Sequence, residues 1–492
     1  MTAESELLDR AQHTRLVVIG GGIGGLVAAL QCAKVGIAVT VLEAADRPGG
    51  AIRAAEVAGL TVDAGAESYA TRGGHVRALI DELGLTDAVV TPSAGRAWVH
   101  GLPGAAPLPA GGVLGIPANP WNDDVRRIIG WSGVWRAYLD RVRPPLTIGH
   151  ERSLGKLVRS RMGAKVLDRL VAPVVAGVYS ARPDDVDVEI AAPGLSTALT
   201  RTGSLSGAVS TLQGHRDLSK APGAAVEGLD GGMSTLIDAL VSRLRELGVE
   251  VRTGVRVDAL ARCESAWRLA TTTTDADAPV EEELAADIVI VATDETAARA
   301  LLAPEVPALA DEQPAQPRID VVTLVLDAAA LDTAPRGTGV LAVPGTTQAK
   351  ALTHSTAKWQ WLAAQARSQH PHRHVVRVSF GAQGEAPATD GLSDDDVAAL
   401  ALAEASVLLG VALEPAQLVA SHIERYAQSQ PASVIGRRER MAAVREAVHR
   451  VPRVGVTGAW LAGTGLAQVV PDAIDEAEHV RRTALWAEQA QA

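Results

Sequence analysis

The sequence predicts a chain of mixed α/β and α+β class. In it, a parallel-sheet domain is discontinuous in sequence and receives a mixed-sheet domain and a helical subdomain as insertions. Three observations predict this. A strand, a glycine turn, a helix and a second strand follow one another from Leu16 to Glu43. The apolar run Ala286 to Thr293 reads as a strand buried on both faces of a parallel sheet. A glycine-rich element at 458–466 leads into a last helix.

The first unit carries a nucleotide fingerprint. After the apolar run Leu16–Ile19, Gly20, Gly22 and Gly25 form GxGxxG, with Ile23 and Gly24 inside the turn, and a helical run from Leu26 to Lys34 follows. Gly20 permits the tight turn, Gly22 lets backbone approach a pyrophosphate, and Gly25 lets the helix pack on the sheet. The phosphate charge would rest on the unpaired N–H groups of the helix start. Glu43, ending the second strand, is the acid expected to accept from an adenosine ribose hydroxyl. The next residues, Ala44 to Gly50, place an arginine at 47 and glycines at 49 and 50. Arg47 can reach a pyrophosphate bidentately, and Gly49-Gly50 leaves room for a longer cofactor. The pattern points to FAD rather than NAD, and the domain is read as Rossmann-like.

Composition sets outer bounds. A chain of 492 residues, 47% hydrophobic, is long enough for two or three domains with a large core. A formal charge of -11 disfavours non-specific nucleic-acid binding. The two cysteines, Cys32 and Cys263, show neither CxxC nor metal spacing, so no metal site is expected and a reducing compartment fits. Glu4, Glu6, Asp9 and Arg10 precede any apolar run, unlike a secretory leader. The run Leu16 to Leu30 is too short and glycine-rich to span a bilayer. A cytoplasmic location without a transmembrane segment is expected; peripheral membrane contact stays open.

The remaining elements follow in order. Residues 1–14 read as a loose tail, Val76 to Leu83 as a helix, and 95–120 as short strands and turns. Residues 121–172 are helical and interleave Trp121, Trp131 and Trp135 with Arg126, Arg127, Arg136, Arg141 and Arg143. This is a solvated charged face or a surface for an anionic ligand or membrane. Residues 195–224, rich in Ser and Gly, read as loop with short strands. The segment Gly228 to Leu236 opens a helix running to Leu247, strands cover 249–252 and 255–260, and 267–271 suits a hairpin partner. Residues 275–283 read as an acidic turn, and the proline-rich segment 304–317 as a crossing between domains. Strands are expected at 319–327, 340–343 and 374–380, and a helix capped by Ser393 at 393–409. A helix at 441–449, a strand at 453–457 and a helix from Pro471 to Gln489 close the chain. The division expected is 15–90, 225–300 and 435–492 for the cofactor domain, 91–120, 191–224 and 301–434 for the substrate domain, and 121–190 for the helical insert.

On these motifs the chain resembles the bacterial HemY-type porphyrinogen oxidases, within the FAD amine-oxidase and phytoene-desaturase group, over about residues 15–485. The segment Pro173-Val174-Val175-Ala176-Gly177-Val178-Tyr179 resembles the family's P-x-x-x-G-[IV]-[YF], and Ser355-Thr356-Ala357-Lys358-Trp359 resembles its S-S-K-W. Glu67-Ser68-Tyr69 with Arg72, Gly231-Gly232-Met233, and Gly463-Thr464-Gly465-Leu466 also match family segments. Thr356-Ala357 stands where two serines are usual, and Ala459 and Leu461 where many relatives are polar or aromatic.

The resemblance implies one non-covalent FAD, contacted by the residues named above together with Gly65, Ala66, Val257, Gly463, Gly465, Leu466 and Ala467. It implies a six-electron oxidation of a porphyrinogen in three steps, with hydride passing to flavin N5 and O2 accepting the electrons to give hydrogen peroxide. No side-chain acid, base or nucleophile is nominated as catalytic, because the pyrrole protons can leave to water. Arg72 and Lys358 are candidate partners for substrate propionates, and Tyr179 a candidate pocket residue. Coproporphyrinogen III, with four propionates, is the expected substrate, and the cations of the Trp–Arg insert and Lys358 suit it. Protoporphyrinogen IX is the alternative. The resemblance leaves room for transient contact with the next haem-pathway enzyme. An amine oxidase, a carotenoid-type desaturase and a non-enzymatic flavin scaffold are the remaining readings. No cysteine follows Cys263 to attach a flavin covalently, and aromatics, at 3%, are scarce for an amine-binding cage.

Overall fold

The computed structural model describes residues 3–102, 104–143, 151–214, 226–264, 266–273, 279–311, 316–427 and 433–486. The fold is mixed α/β and α+β. Its first layer is a five-stranded parallel sheet in the order Glu250–Arg252, Ala38–Leu42, Arg15–Ile19, Ile288–Val291, Val454–Val456. All residues of Ile288–Val291 are buried, as an apolar strand inside a parallel sheet requires. The helices Ile23–Ala33, Ser234–Glu246 and Leu466–Trp486 pack on one face through a single apolar cluster that includes Leu26, Leu30, Leu236, Leu240 and Val470. The other face meets the antiparallel sheet Val255–Cys263, Ala266–Thr273, Val280–Ala286.

The second layer is a seven-stranded sheet, ordered Leu418–Ala427, Arg318–Asp327, Arg373–Phe380, Ala349–His354, Gly339–Ala342, Trp98–Leu102, Gly104–Pro107. One face is sealed by the helix Asp394–Leu409, whose Ser393 side chain accepts from the Asp396 N–H as a cap. The helical body comprises Asp123–Tyr138, Leu154–Met162, Ala172–Tyr179, Leu195–Thr202 and Leu205–Gly214 around its own apolar core. Among the described residues no helix is long and apolar enough to cross a membrane.

Several expectations need correction. Residues 195–214 are two helices, not loop: beneath the Ser and Gly content, Leu195, Ala198, Leu205, Ala208 and Val209 recur at helical spacing and are buried. The stretch 154–171 breaks at Gly163, which adopts φ +91°, and continues through a π-helical turn, Leu167–Val171. Ala3–His13 is helical rather than a loose tail. Val280–Ala286 is a strand, its glutamates exposed on a sheet edge. The strands Ala349–His354 and Leu418–Ala427 escaped the reading because neither shows a long apolar run.

Candidate functional site

The first half of the site is made of backbone. Gly20 turns at φ +107°, where a Cβ would lie 2.6 Å from the Ala292 carbonyl oxygen. A Cβ on Gly25 would collide with the Gly20 carbonyl, so only glycine lets the helix sit this close to the strand. Gly22 differs: nothing lies within 4 Å of its added Cβ. It opens the helix Ile23–Ala33, whose first turn has neither a side-chain cap nor an acidic residue. The helix start therefore presents unpaired N–H groups and positive partial charge to open space.

The second glycine turn closes on the first, as Gly22 bridges Gly49, and a Cβ on Gly50 would stand 3.3 Å from Gly22 Cα. Glu43 ties both turns to the strand ends, accepting from the Gly21 N–H at 2.6 Å and the Ala45 N–H at 2.8 Å. Each oxygen keeps a lone pair for a ribose hydroxyl. Ala44 lies in the same turn. Ile23 packs against the core cluster, and Gly24 faces the last helix, its added Cβ lying 3.3 Å from Val469 and 3.5 Å from Gly458 Cα. Arg47 stays on the surface, 61% exposed and 3.6 Å from Asp46. These residues fit the ADP half of a dinucleotide: an uncapped helix start, an open face over Gly22 and a carboxylate beside it.

The second half is built from side chains. Arg377 donates to the carbonyls of Ala64 (2.8 Å) and Gly65 (2.6 Å) and to Glu67 Oε2 (3.0 Å), pinning the segment that holds Gly65 and Ala66. A Cβ on Gly65 would collide with the Ala51 carbonyl and come within 2.7 Å of the Tyr426 hydroxyl. Lys358 donates to Glu67 Oε1 at 2.5 Å and lies over Trp359, 5.0 Å from its ring centroid. Burial pushes the Glu67 carboxyl up, but Lys358 and Arg377 outweigh it and hold it at about 2. Asp63, four residues earlier, is buried and accepts from the Met233 N–H at 2.8 Å; burial dominates there and lifts it to about 7.

At the C-terminal end, Gly463 adopts φ +115° and Gly465 accepts from the N–H groups of Gln468 and Val469, launching the last helix through Leu466 and Ala467. Buried ion pairs anchor this segment. Arg437 joins Glu295 to the Trp460 carbonyl, while Arg445 joins Asp472 and Glu476, which in turn hold Thr457 and the Val456 N–H. Val257 is buried beneath the Glu43 loop, in a strand whose Val255 N–H bonds the Glu43 carbonyl.

The open face of the seven-stranded sheet adjoins this half. Leu341, Ala351 and Ser379 lie in one cross-strand row with partly accessible side chains, while Val340, Leu352 and Val378 on the opposite face are buried. The helix Ala172–Tyr179 lies over this open face, with Gly177 placed so that a Cβ would meet Leu341 at 2.6 Å. Arg377, two residues before Ser379 on the same strand, shares this face. Of the expected substrate partners, Lys358 is committed to Glu67, and Arg72 sits on an exposed turn. Tyr179 ends the helix, and its side chain lies outside the described residues.

Most insert arginines nominated with them are engaged locally. Arg126 stacks 4.7 Å over Trp131 and pairs with Asp123, Arg136 donates to the Ser160 and Arg161 carbonyls, and Arg141 lies over Tyr138. The sequence reading missed Arg377 and Lys350. Arg377 carried one signal, a cation within a buried strand, but its partners lie about 310 positions away.

Known proteins share these features. The profile of the flavin containing amine oxidoreductases matches residues 23–480. The chain belongs to this family. Within it, the chain falls in the porphyrinogen oxidase branch. The coproporphyrinogen III oxidase of Propionibacterium freudenreichii subsp. freudenreichii is 30% identical over 97% of this chain and 92% of its own length. That of Mycobacterium bovis (strain ATCC BAA-935 / AF2122/97) is 30% identical over 91% of this chain and 93% of its own. A crystal structure of an Exiguobacterium sp. 255-15 protein, assigned as a protoporphyrinogen oxidase, superposes with a TM-score of 0.80 at 26% identity, over 95% of this chain and 99% of that one.

Proposed function

We propose that this chain oxidises coproporphyrinogen III to coproporphyrin III, using non-covalent FAD and O2, in haem biosynthesis in the cytoplasm. The observation that supports the reading is this partly accessible sheet face. An accessible sheet face, bordered by a flavin-type cradle at one end and roofed by a helix, suits a broad planar substrate presented edge-on to a cofactor. The names of relatives aligned over more than nine-tenths of the chain support the same substrate. Protoporphyrinogen IX is the second reading, favoured by the name of the Exiguobacterium structure.

Bound FAD would supply a two-electron acceptor that O2 regenerates. The chain's own part is binding and positioning. Gly22 and the uncapped helix start would take the pyrophosphate, and Glu43 the ribose. Arg377, with Glu67 and Lys358, fixes the Ala64–Glu67 segment against the open sheet face, and the anchored segment Trp460 to Leu466 closes the opposite side. Three two-electron steps remove six hydrogens from the macrocycle, and three O2 become three H2O2. No side chain is assigned a proton, since the pyrrole N–H protons can pass to water.

The test is anaerobic preparation of both porphyrinogens, then steady-state oxidation with separate assay of peroxide. A higher kcat/KM for coproporphyrinogen is expected. Equal or better use of protoporphyrinogen would shift the assignment to the second reading, and oxidation of neither would end both.

A further inference from the structure

We infer that Lys350 and Ser180 form the subsite that receives a carboxylate of the substrate. The inference rests on the porphyrinogen reading above and names where on that sheet face a propionate would be held.

Ser180 follows directly on the helix Ala172–Tyr179 and adopts φ +51°, a left-handed conformation that costs a non-glycine residue energy. Two contacts hold it there: its own N–H bonds the Ala176 carbonyl at 3.1 Å, and its carbonyl accepts from the Gln383 N–H at 3.0 Å. The hydroxyl is thereby presented to the strand Ala349–His354. There Lys350 occupies an irregularity in the ladder, between Ala349 and Ala351. Its Nζ donates to Ser180 Oγ at 2.6 Å. Because Ser180 caps the helix that covers Leu341, this contact places the ammonium on that helix's side of the sheet, away from Asp394–Leu409.

The donor balance of this pair is unusual. An ammonium has three N–H donors, and one is used on Ser180. The serine oxygen accepts that bond, so its own O–H remains a donor. Several donors converge and, among the described residues, no carboxylate pairs with Lys350. A half-buried cation whose one hydrogen-bond partner is a neutral hydroxyl carries an uncompensated desolvation cost. Burial accordingly pushes the lysine down to about 8, which still leaves it mostly protonated at neutral pH. An incoming carboxylate would offset that cost. Phosphate or sulfate would satisfy the same donors, but a tetrapyrrole propionate is the anion whose apolar ring would lie against the neighbouring Leu341 and Ala351.

The position is also suitable. Lys350 lies three residues before Thr353, which pairs with Arg377 across the ladder. At a strand rise of about 3.4 Å per residue, that separates their backbone positions by roughly 10 Å along the sheet. Arg377 thus meets the Ala64–Glu67 segment, while Lys350, further along the sheet, offers a positive charge to the rim of a macrocycle. Neither Lys358, neutralised by Glu67, nor Arg72, on an exposed turn, combines a free charge with this location.

The experiment reads binding apart from turnover. Coproporphyrin III is titrated into flavin-loaded protein and followed by its Soret band, and KM and kcat for coproporphyrinogen III are measured alongside. Lys350→Met should bind coproporphyrin about tenfold more weakly, the loss of one charge-assisted contact, with KM raised more than kcat is lowered. Lys350→Arg should retain most of the affinity, and Ser180→Ala should fall between. All three should keep the wild-type flavin spectrum. Unchanged porphyrin affinity in Lys350→Met would overturn the assignment while leaving the porphyrinogen reading intact. Loss of flavin in both Lys350→Met and Lys350→Arg would also overturn it, marking the lysine as structural. Wild-type protein that neither binds nor oxidises any tetrapyrrole would overturn the functional reading, and this subsite with it.

Discussion

The two halves of the cofactor cradle are built on different principles. Around Gly20–Gly25 and Gly49–Gly50 the groups presented are backbone N–H groups, and the side chains matter chiefly by being absent. Around Ala64–Glu67 the same kind of loop is held by Arg377 and Lys358, drawn from strand and turn segments about 290 to 310 positions downstream. The first half lies within one βαβ unit and its following turn, local in sequence. The second joins the Ala64–Glu67 segment to a strand of the seven-stranded sheet. Integrity of the second half therefore reports on domain docking as much as on cofactor chemistry.

The largest expected effect breaks the first half without breaking the fold. Gly22→Val should purify as folded protein free of flavin. Gly22 has φ -71° and ψ 173°, an extended conformation open to any residue, and no protein atom lies within 4 Å of an added Cβ. The branched side chain would fill only the space left for the ligand. Apo wild type and variant should agree within about 1 kcal/mol in urea denaturation, as for surface substitutions. Gly25→Ala is the contrast. Its Cβ would meet the Gly20 carbonyl, and the helix would have to move, at a cost of about 1–3 kcal/mol or more. Equal loss of stability in both variants would show that Gly22 is a fold glycine and remove the argument for an open pyrophosphate face.

This contrast also explains how much could be read in advance. The glycine turns, Glu43 and the apolar strand Ile288–Val291 were legible because each is fixed by its neighbours: a turn needs glycine where it stands, and a strand inside a parallel sheet needs an apolar run. Gly22 and Gly25 looked equivalent as letters, and only the packing of the helix separates them. The ionic cluster was not legible. Lys358 stood out as a cation in a family-like segment, yet nothing local shows that Glu67 neutralises it. Arg377 looked like an interruption of a strand. Lys350 drew no attention, because its significance lies in lacking a carboxylate partner, which no sequence displays. The paired helices at 195–214 were hidden for another reason: their polar residues outnumbered a helical apolar period too short to stand out.

A second pair of variants sharpens the comparison from the other side. Arg377→Met removes the partner of two carbonyls and one carboxylate together, leaving Glu67 with Lys358 as its remaining cation and two backbone acceptors unpaired. Breaking a buried charge pair in this way costs about 3–5 kcal/mol, and the denaturation midpoint should fall accordingly. Lys358→Met should cost less, because Arg377 and Ser355 still bond Glu67. If Lys358→Met proved the more damaging of the two, the lysine and not the arginine would be the post on which the Ala64–Glu67 segment hangs.

The smallest effect concerns Asp63 and Glu67, two carboxyls on one short segment with opposite shifts. Glu67 is held at about 2, so its contribution to stability is present above its unfolded value of 4.5 and is lost as pH falls towards 2. Asp63 is lifted from 3.8 to about 7, so the folded state binds its proton more tightly than the unfolded chain does. Its contribution is fully present below 3.8 and is lost as pH rises through 7. In mildly alkaline solution the folded protein must hold a carboxylate that burial disfavours. Asp63→Asn removes that charge but keeps a carbonyl oxygen able to accept from the Met233 N–H. The variant should therefore melt a few degrees above wild type at about pH 8, with the difference shrinking towards about pH 4. Both proteins should be compared with flavin removed, so that altered cofactor binding does not enter the melting temperature. A variant less stable than wild type at the alkaline end would mean that Arg377 and Lys358 reach Asp63 strongly enough to make its charge an asset. The cluster would then be a four-membered network rather than a Glu67-centred triad with a buried acid beside it.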